Sequence, residues 1–233
     1  MKIEGQLQKA KFIDRPNRFI TLVDIGGIIH SSHLPDPGRL KELLIPGADL
    51  FVQAAPKGSN RKTKFTTVMV KHQGKLISLQ STLPNQFVKE GILNNQIPLL
   101  FDYTMIRPEV TIGHHRFDFL LKDSTGSEFI LEVKSVTYVN NAIAQFPDAV
   151  TLRGMKHAKA LKKLVEEGKH AGILFVCQRS DAKVFQPMWE RDPKFAQAVL
   201  DAKNSGVKVW CITLNISKTE VTYNAQIPVN LEL

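Results

Sequence analysis

Two patterns in the chain predict a mixed fold, a small β-barrel followed by an α/β domain. The first is a series of six short apolar, β-prone runs within residues 1–80, and the second is the order helix, three strands, helix, strand across residues 81–233. A third observation divides the halves chemically: residues 1–80 hold 13 Lys+Arg against 6 Asp+Glu, and the rest of the chain 18 against 16.

The barrel runs are 5–12, 19–25, 28–34, 50–54, 65–70 and 76–79. Gly26-Gly27 and Gln73-Gly74 supply the backbone freedom that tight hairpins need. Residues 38–44 read as a short helix, entered after Pro37 and stopped by Pro46-Gly47. A partly open barrel with a helix between its third and fourth strands is the OB layout. In the second half, 84–94 suit a helix, and strand-like segments follow at 105–110, 116–122 and 128–139. Residues 151–168 read as an amphipathic helix with Leu152, Met155, Leu161, Leu164 and Val165 on its apolar face. A buried strand at 172–177, a helix near 193–202 and a strand at 207–214 complete the domain.

Two of these strands carry charges that their apolar neighbours do not explain. Arg116-Phe117-Asp118-Phe119-Leu120-Leu121 and Phe129-Ile130-Leu131-Glu132-Val133-Lys134-Ser135 place Asp118, Glu132 and Lys134 in apolar strands. Removing such groups from water is costly unless they are paired or coordinate a metal. Side chains alternate across a strand, so Glu132 and Lys134 share one face while Phe129, Leu131 and Val133 point to the other. The turn formers of 122–128 make the two strands a hairpin, which brings Asp118 and Glu132 onto one face. Two carboxylates there suit Mg²⁺ or Mn²⁺, with the Val133 backbone carbonyl as a further ligand. Such an ion activates water and neutralises charge on a scissile phosphate, and Lys134 orients that water or stabilises the transition state. The pattern predicts a divalent-metal nuclease site; the competing reading is an ordinary same-face ion pair on a solvated strand. Glu90 on the first helix is a candidate additional ligand, Glu109 at a strand end is another, and Gln178 sits where a buried strand ends. His30/His33 and His114/His115 lack a third ligand in sequence and read as non-metal.

These segments, with Phe146-Pro147-Asp148-Ala149-Val150-Thr151-Leu152-Arg153-Gly154-Met155-Lys156-His157 and His33-Leu34-Pro35-Asp36-Pro37-Gly38-Arg39-Leu40, closely resemble the sugar fermentation stimulation protein (SfsA) family. The resemblance covers nearly the whole chain. It implies an N-terminal OB-like domain (1–80) joined to a C-terminal domain of the PD-(D/E)XK nuclease superfamily (81–233). It also implies non-specific DNA binding and a link to regulation of sugar, chiefly maltose, metabolism. By position Asp118, Glu132 and Lys134 fill the superfamily's acid, acid and lysine places, and Phe117 stands where the superfamily name has Pro. Residues 80–88 resemble a family segment in which an Arg follows the Asn; here Gln86 follows Asn85. Two classes of function stay open: a Mg²⁺- or Mn²⁺-dependent deoxyribonuclease, and a DNA-binding regulator without physiological cleavage.

A net charge of +9 with a pI near 9.5 points to a polyanionic partner. OB folds track single strands with positive charge and stack bases on aromatic rings. The candidates are Arg15, Asn17 and Arg18 beside Phe19, the loop 57–64 with Lys57, Arg61, Lys62 and Lys64, and Arg39. In the second half they are Arg116 and the trio Arg153, Lys156 and His157, the trio lying near the first turns of a helix, where unpaired N–H groups favour anions. Asp148 or Thr151 would equally serve there as a helix cap. The expected partner is DNA bound without sequence specificity, single strands included. Residues 1–6 lack the apolar run of a signal peptide, and no stretch is long enough to span a bilayer, so a cytoplasmic protein is expected. Cys177 and Cys211, each in or beside an apolar run, are expected as buried thiols.

Overall fold

The computed structural model describes residues 1–56 and 58–232, so the candidate Lys57 lies outside the described residues. The chain forms two compact units, Met1–Leu83 with Asn215–Thr222, and Pro84–Leu214 with Tyr223–Leu233. The segment 215–222, which the sequence groups with the second domain, thus falls in the first. Hydrogen bonds to the N-terminus account for it: Ile3 N–H donates to the Thr219 carbonyl (2.8 Å) and Val221 N–H to the Met1 carbonyl (2.9 Å). Ile216 also packs against a buried cluster of Phe51, Val68 and Met69.

The first unit contains β1 (Leu7–Asn17), β2 (Ile20–Ile25), β3 (Ile28–His33), β4 (Asp49–Ala54), β5 (Phe65–His72) and β6 (Lys75–Ser78). Antiparallel pairing runs in the order β3-β2-β1-β4-β5-β6, and parallel pairing of β3 with β5 at Ser32↔Phe65 and His33↔Thr66 closes the first five strands into a barrel. At this seam three buried hydroxyls join: Thr21 and Thr67 lie 2.7 Å apart, and Thr67 Oγ1 donates to Ser32 Oγ at 2.8 Å. The helix expected at 38–44 is a single turn. Leu40 has a φ of +53°, which a continuing right-handed helix does not tolerate, and the N–H groups of Leu43 and Leu44 both return to its carbonyl. Leu40, Leu43 and Leu44 still enter the barrel core, which is why their spacing reads as helical.

The second unit is built from α1 (Leu83–Leu93), a short 3₁₀ turn (Pro98–Leu100), β7 (Tyr103–Ile112), β8 (His115–Asp123), β9 (Glu128–Val136), β10 (Tyr138–Asn140), β11 (Ile143–Phe146), α2 (Leu152–Glu166), β12 (His170–Cys177), β13 (Val184–Pro187), α3 (Pro193–Asn204), β14 (Lys208–Ile216) and β15 (Val221–Ile227). The main sheet has the order β15-β14-β12-β9-β8-β7, with β9, β12 and β14 mutually parallel; β10, β11 and β13 form a small second sheet. The run expected at 128–139 therefore divides at Thr137, after which β10 joins the small sheet. Because β9 is interior and covered on both faces, residues 129–133 are all buried. Ile130, which shares the Glu132 face, packs into the same core as Leu161 and Leu164 of α2. Leu152, expected on the apolar face of α2, is 64% exposed; the buried stripe is Gly154, His157, Ala158, Leu161 and Leu164. Cys177 and Cys211 are buried and free, and burial pushes the Cys177 thiol up to about 12. Among the described residues no helix is long and apolar enough to cross a membrane.

Asp192, 4% exposed, fixes where both long helices start. Its Oδ1 accepts from Phe195 N–H in the first turn of α3 (3.1 Å), and its Oδ2 accepts from Thr151 N–H (2.7 Å). Thr151 in turn caps α2 by accepting from Gly154 N–H (3.0 Å). Asp192→Ala strands both donors and is expected to cost roughly 1–3 kcal/mol, read as a lower urea midpoint at unchanged slope. Asp192→Asn, which keeps one acceptor oxygen, should recover part of the loss; a midpoint unmoved in both variants would remove Asp192 from this role.

Candidate functional site

The β8–β9 ladder runs from Lys122↔Glu128 to Phe119↔Leu131, and the next step in register sets Asp118 opposite Glu132. A side chain takes over from the backbone at that step: Val133 N–H donates to Asp118 Oδ2 at 2.7 Å. Asn85 on α1 holds the other oxygen, its Nδ2 donating to Asp118 Oδ1 at 2.7 Å. Glu132, only 3% exposed, receives two partners on one oxygen. Lys134 Nζ donates to Oε1, and His157 Nδ1 of α2 lies 2.6 Å from the same atom. Glu132 Oε2 is buried and has no hydrogen-bond partner among the described residues. The ring of His157 is fixed by edge-on contacts with Phe117 (5.5 Å) and His115 (5.6 Å).

The two carboxyls are driven apart electrostatically. Burial, and then the neighbouring Glu132 charge, raise Asp118 above 3.8, and the Val133 N–H, Lys134 and Asn85 oppose this only in part. Burial also pushes Glu132 upward, but the His157 hydrogen bond and the Lys134 charge overcome it and leave the group below 4.5. The arrangement keeps one anion deep in the sheet beside a second carboxyl that holds its proton more tightly.

Several candidates from sequence lie elsewhere or do other work. Glu90 is exposed, and at 3.6 residues per turn it lies about 140° around α1 from Asn85, so the helix does not aim it at Asp118. Glu109 is exposed on β7 with its φ at +51°, and its carboxylate is 3.8 Å from exposed Arg116. Gln178 is fully buried where β12 ends and donates to Ser135 Oγ (2.9 Å). His157, expected as a phosphate contact, is 5% exposed and spent on Glu132. Arg153 and Lys156 remain exposed near the start of α2, while Thr151 is its cap. In the first unit Arg15 is not positioned for phosphate. Its guanidinium donates to the carbonyls of Gly38, Arg39, Arg18 and Asp36 at 2.7–3.0 Å and ties the loops together. Asn17 Oδ1 accepts from Phe19 N–H within its turn, and Arg61 donates to Thr66 Oγ1. Arg18, Arg39, Lys62 and Lys64 are exposed. His30 packs edge-on against Phe65. Sequence reasoning missed Asn85 as a partner of Asp118, although its helix was placed correctly.

Among the described residues no three His, Cys, Asp or Glu side chains gather as a metal site. Any cation here would rest on Asp118, Glu132, backbone carbonyl and water. The opposed shifts carry a pH signature. The Asp118 contribution to stability falls as pH rises from its ordinary value through its raised folded value, whereas that of Glu132 is present above its ordinary value and lost as pH falls through its lowered one. Carboxyl NMR titration should find Asp118 high and Glu132 low, and Glu132→Gln should bring Asp118 down by deleting the neighbouring charge. An Asp118 titration unmoved by that substitution would contradict the coupling.

Residues 13–79 match the family model described as the SfsA N-terminal OB domain, and residues 82–220 match the sugar fermentation stimulation protein RE domain. The sugar fermentation stimulation protein homolog of Acetivibrio thermocellus is 43% identical over 217 residues, covering 93% of this chain and 92% of that one. The homolog of Clostridium botulinum is 38% identical over 233 residues and covers 100% of both chains. The solved structure of Pyrococcus furiosus SfsA in complex with Ca²⁺ is similar with a TM-score of 0.89 at 28% identity, covering 99% of this chain and 98% of that chain. With both units matched, the chain belongs to the sugar fermentation stimulation protein family.

Proposed function

We propose that this protein is a divalent-metal-dependent nuclease acting on DNA, with Asp118, Glu132 and Lys134 as its catalytic set. The observation that carries this reading is the buried Glu132 Oε2, without a hydrogen-bond partner among the described residues, beside a second carboxyl on the adjacent strand. A buried anionic oxygen left unsatisfied is costly, and a hard cation is the partner that removes the cost. Asp118, Glu132 and the Val133 carbonyl would hold Mg²⁺ or Mn²⁺. In an extended strand a residue's N–H and C=O leave the same edge, and the Val133 N–H is turned toward Asp118. The Ca²⁺ of the Pyrococcus furiosus relative is a cation of this oxygen-loving type.

When bound, such an ion supplies Lewis-acid polarisation of the phosphoryl oxygen and a more acidic water. The chain's own groups do the rest. Asn85 and the Val133 N–H orient Asp118, and His157 fixes Glu132. Lys134, whose side chain is partly exposed, brings positive charge to the phosphate in the transition state. Exposed Arg116, Arg153 and Lys156 contact the DNA backbone in the second unit; Arg18, Arg39, Lys62 and Lys64 do so in the first, where Phe19, 51% exposed, offers a stacking face. The alternative, a non-specific DNA-binding regulator of sugar metabolism without cleavage, is favoured by one feature: Lys134 is already paired with Glu132.

Labelled single- and double-stranded DNA incubated in Mn²⁺, Mg²⁺ or chelator separates the two. Metal-dependent cutting is expected, reduced roughly 10²-fold or more in Glu132→Gln and in Lys134→Ala with binding retained. Intact DNA in every lane, with binding present, would leave the regulator. Binding to duplex should fall with salt at a log-log slope of about −0.9 per neutralised phosphate, and a flat response would exclude both readings.

A further inference from the structure

Beside the carboxylates, α2 and the β7–β8 hairpin line an open cavity of about 680 Å³ that the catalytic set does not use. Its size is that of a small-ligand site. Phe117, Leu164, Ile112 and Ala160 contribute an apolar lining, and His115 forms part of the wall. Lys156, Lys159 and Lys163, all exposed, stand along the α2 side. Among the described residues Glu167 is the one acidic residue in the lining, and it already pairs with Lys163 at 3.7 Å.

We propose that this cavity receives one unstacked base of a bound DNA strand, the base lying against the apolar lining and the flanking phosphates on the lysine row. The proposal rests on the DNA-binding reading above and assigns that reading a specific pocket. The three lysines span about 10 Å of helix axis, a row long enough to meet the phosphates on either side of one nucleotide. Aromatic faces accept any base, so the site needs no sequence preference. Burial, and then the charges of His157, His114 and Lys156, hold His115 below its usual value, so near neutral pH its ring is an uncharged flat face. The pocket also adjoins the site, because His115 meets His157 edge-on and His157 touches Glu132. A cationic rim over an apolar floor fits a nucleotide better than either feature fits alone.

The test uses a single-stranded oligonucleotide carrying one 2-aminopurine and a terminal fluorescein, titrated with full-length protein in chelator so that no cutting intervenes. Fluorescein anisotropy reports binding of the strand, and aminopurine emission reports the base. The emission should change on saturation. Its midpoint should weaken about tenfold in Ala160→Trp, which fills the cavity, and in Lys159→Glu, which reverses the rim charge, as expected for one lost stacked base. Lys162→Glu, the same charge change at a position of α2 that does not line the cavity, should leave the midpoint near wild type. Urea midpoints show that the variants fold. Unchanged midpoints in both cavity variants, or equal loss in Lys162→Glu, overturn the pocket while the DNA-binding reading survives. No anisotropy change at any concentration overturns both.

Discussion

A carboxylate closed inside a sheet can remain ionised only if positive or donating groups come to it, and this constraint on Glu132 organises the second unit. Glu132 lies on the interior strand β9, between antiparallel β8 and parallel β12, where solvent does not reach it. Lys134 answers from the same face of the same strand, and His157 answers from the helix packed above. The His157 contact would be lost if α2 sat a turn higher or lower, since successive positions on one helix stripe are about 5–6 Å apart. The alignment of α2 over β9 is therefore an electrostatic requirement as well as a packing preference.

That alignment is secured at the helix start. Asp192 binds the N–H of Thr151 and the first turn of α3, and Thr151 closes the first turn of α2. Gly154 leaves room for this arrangement, because a Cβ there would lie 2.8 Å from the Thr151 methyl and 3.1 Å from the Phe195 ring. A buried acid remote from the carboxylates thus determines where His157 stands. On the adjacent strand, the β8–β9 ladder ends at Phe119↔Leu131, and just beyond it the Asp118 carboxylate takes the Val133 N–H.

The gathering of Asp118, Glu132 and Lys134 was legible in the sequence because strand parity is a two-residue rule and charges interrupting apolar strands stand out. The barrel strands were legible for a similar reason, each being a short apolar run between turn formers. What escaped depended on long-range partners. Asn85 reads as an ordinary helical residue until Asp118 is placed opposite it, and the direction of His157 follows from which face of α2 is buried. Leu40, Leu43 and Leu44 mimic a helix because a core can be plugged at helical spacing by a turn. The strands β10, β11 and β13 are only three or four residues long, too short for a period to show. Arg15 carries the charge of a phosphate contact, yet four carbonyls claim it.

The chain passes between its two units three times, after Leu83, after Leu214 and after Thr222. A single crossover between genes can exchange everything before or after one point, but it cannot deliver a complete first unit without its later segment at 215–222. That segment supplies backbone partners to the N-terminus and an apolar cover for Phe51, Val68 and Met69. Shuffling that joined the barrel of one ancestor to the sheet of another would have left an unpaired N-terminus or an alien hairpin tip. Severing the second unit from the first would therefore cost the barrel both its terminal pairing and this apolar cover.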